Sequence, residues 1–144
     1  MRIAMIIARS AAAAVLAWAA SMAVIVGGNS GCPSLVDFTG LSGEKEVPPN
    51  SSTGSGSGQY ELNPDNTELR FVITAEGLSG PVTAAHFHIV TTGAGTGPVV
   101  LDLAPFLTEI GGQVTLTGTS SLAEWSINNA AEAIREGAIY VNLH

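Results

Sequence analysis

Between Leu69 and Glu76 the chain alternates strictly: Leu69, Phe71, Ile73 and Ala75 are interleaved with Arg70, Val72, Thr74 and Glu76. Side chains alternate across a strand, so this period of two predicts a strand with one face on a core and one toward water. The segment "GQYELN" precedes it, and the intervening "NPDN" is a Pro-Asp turn of the kind that joins antiparallel strands. "GQVTLTGTS" repeats the pattern, with Val114 and Leu116 set against Thr115 and Thr117. "LVDFTG" and the terminal "AIYVNLH" read as further strands, and "GPVVLDL" as a short continuous apolar run, covered on both faces. Turn signals recur about every ten residues, which suits a sandwich or a barrel.

"STGSGSG" (52–58) has the composition of a flexible linker, yet it runs into a strand-like segment, so an edge strand or loop is expected there. One helix is predicted, just before the last strand. Asn129 is placed to cap it, Glu132 stands three residues on as a capping box requires, and Gly137 follows the last turn. Ala130, Ala133 and Ile134 give it one apolar stripe. No internal repeat is present.

The front of the chain has a different pattern. Arg2 and Arg9 precede an uncharged, mostly apolar run from Ser10 to Val26, followed by small residues. That order is the pattern of a secretory signal. Residues 1–28 are therefore expected to be a signal peptide, with cleavage after Ala23, or else a membrane anchor. The seventeen-residue run is at the short end of the roughly 17–25 residues that span a bilayer. Cys32, in "NSGC", is a candidate for lipidation. Residues 29–36 read as a short linker and 37–144 as the folded domain. The protein is expected to be exported, whether periplasmic, secreted or attached to the envelope, and to meet a membrane only through this N-terminal segment.

Without that segment, Lys45, Arg70 and Arg135 stand against twelve acids, a net charge of −9. Such a surface repels a phosphate backbone, so nucleic acid is excluded as a partner. Cys32 is the only cysteine, so no intrachain disulfide is available. The domain must rely on core packing.

Candidate chemistry centres on three histidines. In "AAHFHI", His86 and His88 share one strand face while Ala85, Phe87 and Ile89 take the other. In the last strand Tyr140, Asn142 and His144 lie opposite the apolar Val141 and Leu143. If the two strands are neighbours, all three histidines share one side of one sheet. Three imidazoles with an open position form a workable zinc or copper site. The plainer alternative is preferred on the sequence alone: a His-x-His strand on a solvated face needs no ligand. No nucleophile elbow or triad pattern marks a hydrolase, and no catalytic residue is assigned. The glycines of "TTGAGTGP" fit neither nucleotide-binding fingerprint and predict a tight reversal after the histidine strand. The acids Glu44/Glu46 and Asp65/Glu68 lack the spacing of a calcium loop and are expected to be solvated. Asn50-Ser51-Ser52 is a formal glycosylation sequon, discounted because the leader reads as bacterial.

Three stretches, "FTGLSGEKEVPPNSSTGSGSGQYEL", "LRFVITAEGLSGPVTAAHFHIVTTGAGTGPVVLDL" and "AAEAIREGAIYVNLH", resemble in that order the CHRD domain, named after chordin. The resemblance runs over residues 38–144 and rests on Glu46-Val47-Pro48-Pro49, the "AAHFHI" strand with its glycine-rich tail, and "YVNLH". It implies an all-β, immunoglobulin-like antiparallel β-sandwich and no settled biochemical activity. In the family the "YVNxH" strand runs on into a final strand. This sequence stops at His144, so the domain is expected to lack that strand, the sequence being a fragment. A fainter likeness is to the copper site of copper/zinc superoxide dismutases, which also sets a His-x-His strand in a β-sandwich. With three histidines in all, only a mononuclear copper site carries over.

Two functional expectations follow. The first is a non-enzymatic exported module that binds a protein or glycan, or serves structurally, at the cell envelope. The second is a copper-binding protein using His86, His88 and His144, with redox activity as its extension.

Overall fold

A computed structural model describes residues 3–6, 34–91 and 96–144, with side chains described for 40–91 and 96–144. The apolar run 10–26, the cleavage position after Ala23 and Cys32 lie outside the described residues. The strands are β1 (Ile3–Ile6), β2 (Ser34–Ser42), β3 (Ser55–Leu62), β4 (Glu68–Glu76), β5 (Ala85–Ile89), β6 (Val99–Asp102), β7 (Leu107–Ile110), β8 (Gln113–Ser121) and β9 (Ile139–Leu143). Among the described residues a single α-helix, α1 (Ala130–Arg135), precedes β9.

All pairings are antiparallel, in the order β6-β5-β9-β1-β2-β3-β4-β8-β7. One pair, Ala4 with Ser42, joins β1 to β2, so the array divides there into two layers that fold face to face. The result is the antiparallel β-sandwich expected, with one short helix before the last strand. β4 follows its predicted alternation, burying Leu69, Phe71, Ile73 and Ala75, and β8 buries Val114 and Leu116. The opposite layer contributes Ala85 and Phe87 from β5 and Ile139, Val141 and Leu143 from β9. Phe71 meets Phe87 edge-on across the two layers at 5.4 Å, and Phe87 stacks on Trp125 at 5.4 Å. Each buried phenylalanine contributes about 1.5–3 kcal/mol of burial free energy, and each ring pair about 0.5–1.5 kcal/mol more. The Trp125 indole N–H, which burial would otherwise leave unpaired, donates to Ser120 Oγ at 3.1 Å.

The "NPDN" turn joins β3 to β4 as expected. Asn63 Oδ1 accepts from the backbone N–H groups of Thr67 and Glu68, and Asn66 takes the left-handed φ of 58° that Asn tolerates. β7 and β8 form a hairpin on Gly111-Gly112, whose φ values of 61° and 83° match the primed turn that antiparallel strands prefer.

Three expectations are corrected. "STGSGSG" is neither an edge nor a loop: from Ser55 onward it is β3, held between β2 and β4. A β-carbon at Gly56 would collide with the carbonyl oxygen of Thr74 and with Leu41, so close strand approach explains the composition. "GPVVLDL" is not covered on both faces. β6 is an edge strand, which buries Val100 and leaves Val99 43% exposed. Helix α1 starts at Asn129 without the capping box. The backbone there (φ −114°, ψ 36°) is outside the extended region from which a cap side chain reaches back, and no side-chain cap bond forms. Its C-terminus is as read: Gly137 has φ 68°, its N–H donates to Ile134 O and that of Ala138 to Ala133 O. This is the Schellman arrangement.

β9 is bounded on one side by β5 and on the other by β1, with Ile3 to Ile6 opposite Leu143 to Tyr140. The sheet position beside β9 that the sequence reading leaves open is thus held here by Ile3–Ile6, residues that stay in the protein if the leader is an anchor and leave it if the leader is cleaved.

Candidate functional site

Because β5 and β9 are neighbours, the condition for gathering the histidines is met. Their register sets His86 opposite Asn142 and His88 opposite Tyr140, and the N–H of His144 donates to Ala84 O one pair further on. Phe87 and Val141 point into the core, so the alternate residues of both strands share the other face. The ring centroids are 5.6 Å apart for His86–His88, 5.4 Å for His86–His144 and 6.4 Å for His88–His144. One ring nitrogen from each histidine lies within 4.8 Å of the other two. Nitrogens sharing a tetrahedral ion at about 2.0–2.1 Å are about 3.4 Å apart. Side-chain torsions of these three rings would have to draw them together by up to about 1.4 Å for all to reach one ion.

This face is covered at its centre rather than solvated throughout as expected, with His86 and His144 half-buried. His88 and Asn142 are each 8% exposed, and Tyr140 is 6% exposed. Part of the cover is the far end of the glycine-rich loop. His88 Nδ1 lies 2.9 Å from Gly97 O, the Gly97 N–H donates to the Tyr140 hydroxyl at 3.0 Å, and the Ile89 N–H donates to Pro98 O. A β-carbon on residue 97 would fall on the carbonyl oxygen of Ile89, so only glycine allows the loop to lie this close. Gly97 thus serves as a clasp on the histidine strand, while residues 92–95 of the expected tight return lie outside the described residues. The Tyr140 ring stacks on His88 at 4.9 Å with 15° between planes.

The Gly97 contact also decides the chemistry of His88. A carbonyl only accepts, so Nδ1 carries the proton and Nε2 presents its lone pair. That Nε2 is buried with no hydrogen-bond partner, and so is His86 Nδ1. Metal-bound histidines typically donate their other ring N–H to such a carbonyl, which orients the ring. Burial pushes the His88 imidazole below its ordinary value, the neighbouring His86 adds to this, and the Gly97 carbonyl opposes it. The neutral, coordinating form is therefore favoured.

Among the described residues, His86, His88 and His144 are the only group of three or more His, Cys, Asp or Glu side chains close enough to share an ion. The acids Glu44/Glu46 and Asp65/Glu68 form no such group, although Glu46, at 5% exposure, is buried rather than solvated. Beside the cluster a small open cavity of about 50 Å³, walled by the 78–82 loop and Leu143, reaches His144. Thr83 fastens this end of β9 through two bonds to His144 O, from its N–H at 2.7 Å and its hydroxyl at 3.1 Å.

The model of the CHRD domain family matches residues 38–144. The chain belongs to the CHRD family. The match spans the whole sandwich from β2 to β9, including both histidine strands and the loop that covers them. No curated protein and no solved structure matches the chain. Tyr140, Asn142 and Gly97 were legible in the sequence only as strand or turn residues. The signal for the first two is their spacing of two from His144, and for Gly97 its position nine residues after His88.

Proposed function

We propose that this CHRD domain is an exported, non-enzymatic module of the cell envelope that holds one copper ion between His86, His88 and His144. The supporting observation is the pair of buried ring nitrogens, His86 Nδ1 and His88 Nε2, that have no hydrogen-bond partner and sit beside a third imidazole. Leaving a buried polar atom unpaired costs about 1–3 kcal/mol, and a shared cation would turn both losses into coordination. The donors are three imidazoles with no thiolate or carboxylate among them. Imidazole suits zinc, copper and nickel, and copper(II) binds such nitrogen sets most tightly of the first-row divalent ions. Export is supported by the leader pattern of residues 1–28, and a protein or glycan partner at the envelope by the polar outer faces of the strands.

The test is calorimetric titration of Cu(II) into the chain and into the His86→Ala/His88→Ala double variant. We expect one-to-one binding that the double variant weakens at least a hundredfold. No binding, or equal binding by the double variant, would leave the histidines as strand residues. The domain would then be a module that meets its protein or glycan partner without a metal.

A further inference from the structure

Asn142 is the polar residue on this face that the three-histidine reading does not use. Among the described residues, four that are polar or charged are buried: Glu46, His88, Ser120 and Asn142. Ser120 is accounted for by Trp125, and one side of His88 by Gly97. Asn142, 92% buried, has an amide oxygen with no hydrogen-bond donor. An unmatched buried amide oxygen costs about 1–3 kcal/mol, and an apolar residue at this place in β9 would avoid it.

Its position gives the oxygen a use. Asn142 pairs directly with His86 across the strands, and on its own strand it lies between Tyr140 and His144. Cross-strand partners have β-carbons about 4.5–5.5 Å apart, and same-face neighbours along a strand about 6–7 Å. Asn142 therefore shares the face of the three rings, directly opposite His86 and next to His144 along β9. Three imidazoles leave a tetrahedral or tetragonal ion at least one open position.

We infer that the Asn142 amide oxygen faces that open position and selects a fourth ligand able to donate a hydrogen bond. Water, an alcohol or a hydroperoxide meets this condition, and an aprotic anion such as azide does not. The inference rests on the proposed copper site and adds its ligand class. A carbonyl oxygen repels a donor-less anion and accepts from an O–H, so it disfavours the anion relative to water.

The experiment uses the full chain loaded with Cu(II), titrated with sodium azide and followed by the azide-to-copper charge-transfer band and the EPR spectrum. Wild type is compared with Asn142→Leu, which keeps the branched shape of the side chain and removes the acceptor. Asn142→Val, smaller and β-branched, takes its place if Leu misfolds by circular dichroism. The inference expects azide to bind the Leu or Val variant about tenfold more tightly than wild type, with Cu(II) affinity changed by less than that. A merely structural asparagine would change melting temperature and leave the azide affinity unmoved, which overturns the inference. Weaker azide binding in the variants also overturns it, since it would mean that the amide N–H groups face the ligand. A wild-type chain that takes up no copper instead defeats the metal site itself, an outcome distinct from both.

Discussion

His88 does two jobs with its two nitrogens: Nδ1–H is spent on Gly97 O, and Nε2 is left bare in the protein interior. Burial holds its imidazole below the ordinary value, whereas in the unfolded chain the ring titrates near about 6.5. As the pH falls through that value the unfolded state takes up a proton that the folded state refuses, so stability falls with it. The loss runs from about pH 6.5 down to the lowered folded value and is absent above this window. Denaturant unfolding of the metal-free chain should therefore show lower stability at pH 5.5 than at pH 7.5. The difference should shrink in His88→Asn, which has no proton to gain. An equal pH dependence in the variant would mean that the ring is not held neutral by burial.

Among the elements, the loop ending at Gly97 governs the site as much as the strands do. It clasps β5 by main-chain contact, orients the His88 ring and engages the hydroxyl of Tyr140 on β9. Gly97→Ala sets a β-carbon against Ile89 O, so the loop must lift. Overpacking of this kind costs about 1–3 kcal/mol. We expect that loss in chemical denaturation, together with a fall in Cu(II) affinity, because the lifted carbonyl no longer fixes the His88 tautomer. A variant destabilised but unchanged in copper binding would limit the loop to covering the strand. Element existence was well marked in the sequence wherever one face is buried and the other wet, as in β4 and β8. It was misread in β3 and β6, where composition stood in for position. Glycine and serine suit a crowded interior strand as well as a linker, and a valine pair suits an edge as well as a centre.

For the whole molecule, the site joins parts of the chain far apart in sequence: His88 and His144 meet only when β5 and β9 pair. The unfolded chain lacks this arrangement, so an ion held there stabilises the folded state by mass action, about 2.7 kcal/mol at a free concentration a hundred times Kd. A thermal melt with Cu(II) should shift upward for the wild type, return on chelation, and stay in place for His86→Ala/His88→Ala. A shift of equal size in the double variant would place the bound ion elsewhere. The aromatic contacts of Phe71, Phe87 and Trp125 lie on the opposite face of β5 from the histidines, so the cluster adds a cross-strand tie without entering the core.

The sequence by itself determined the all-β class, most of the strands and the short helix with its Gly137 stop. It also placed His86 with His88, and Tyr140 with Asn142 and His144, each on one face of a strand. These follow from local rules: the period of two, turn chemistry and helix-end geometry act within a few residues. Only the tertiary structure decided that β5 lies beside β9, that β1 occupies β9's other flank, and that the histidine face is covered rather than wet. Strand pairing over fifty residues is settled by which apolar faces fill a common core, and no spacing within either strand encodes it. The partnerless nitrogens of His86 and His88, and the amide oxygen of Asn142, belong to that second group. Burial and hydrogen-bond satisfaction are properties of the surroundings a residue ends up in.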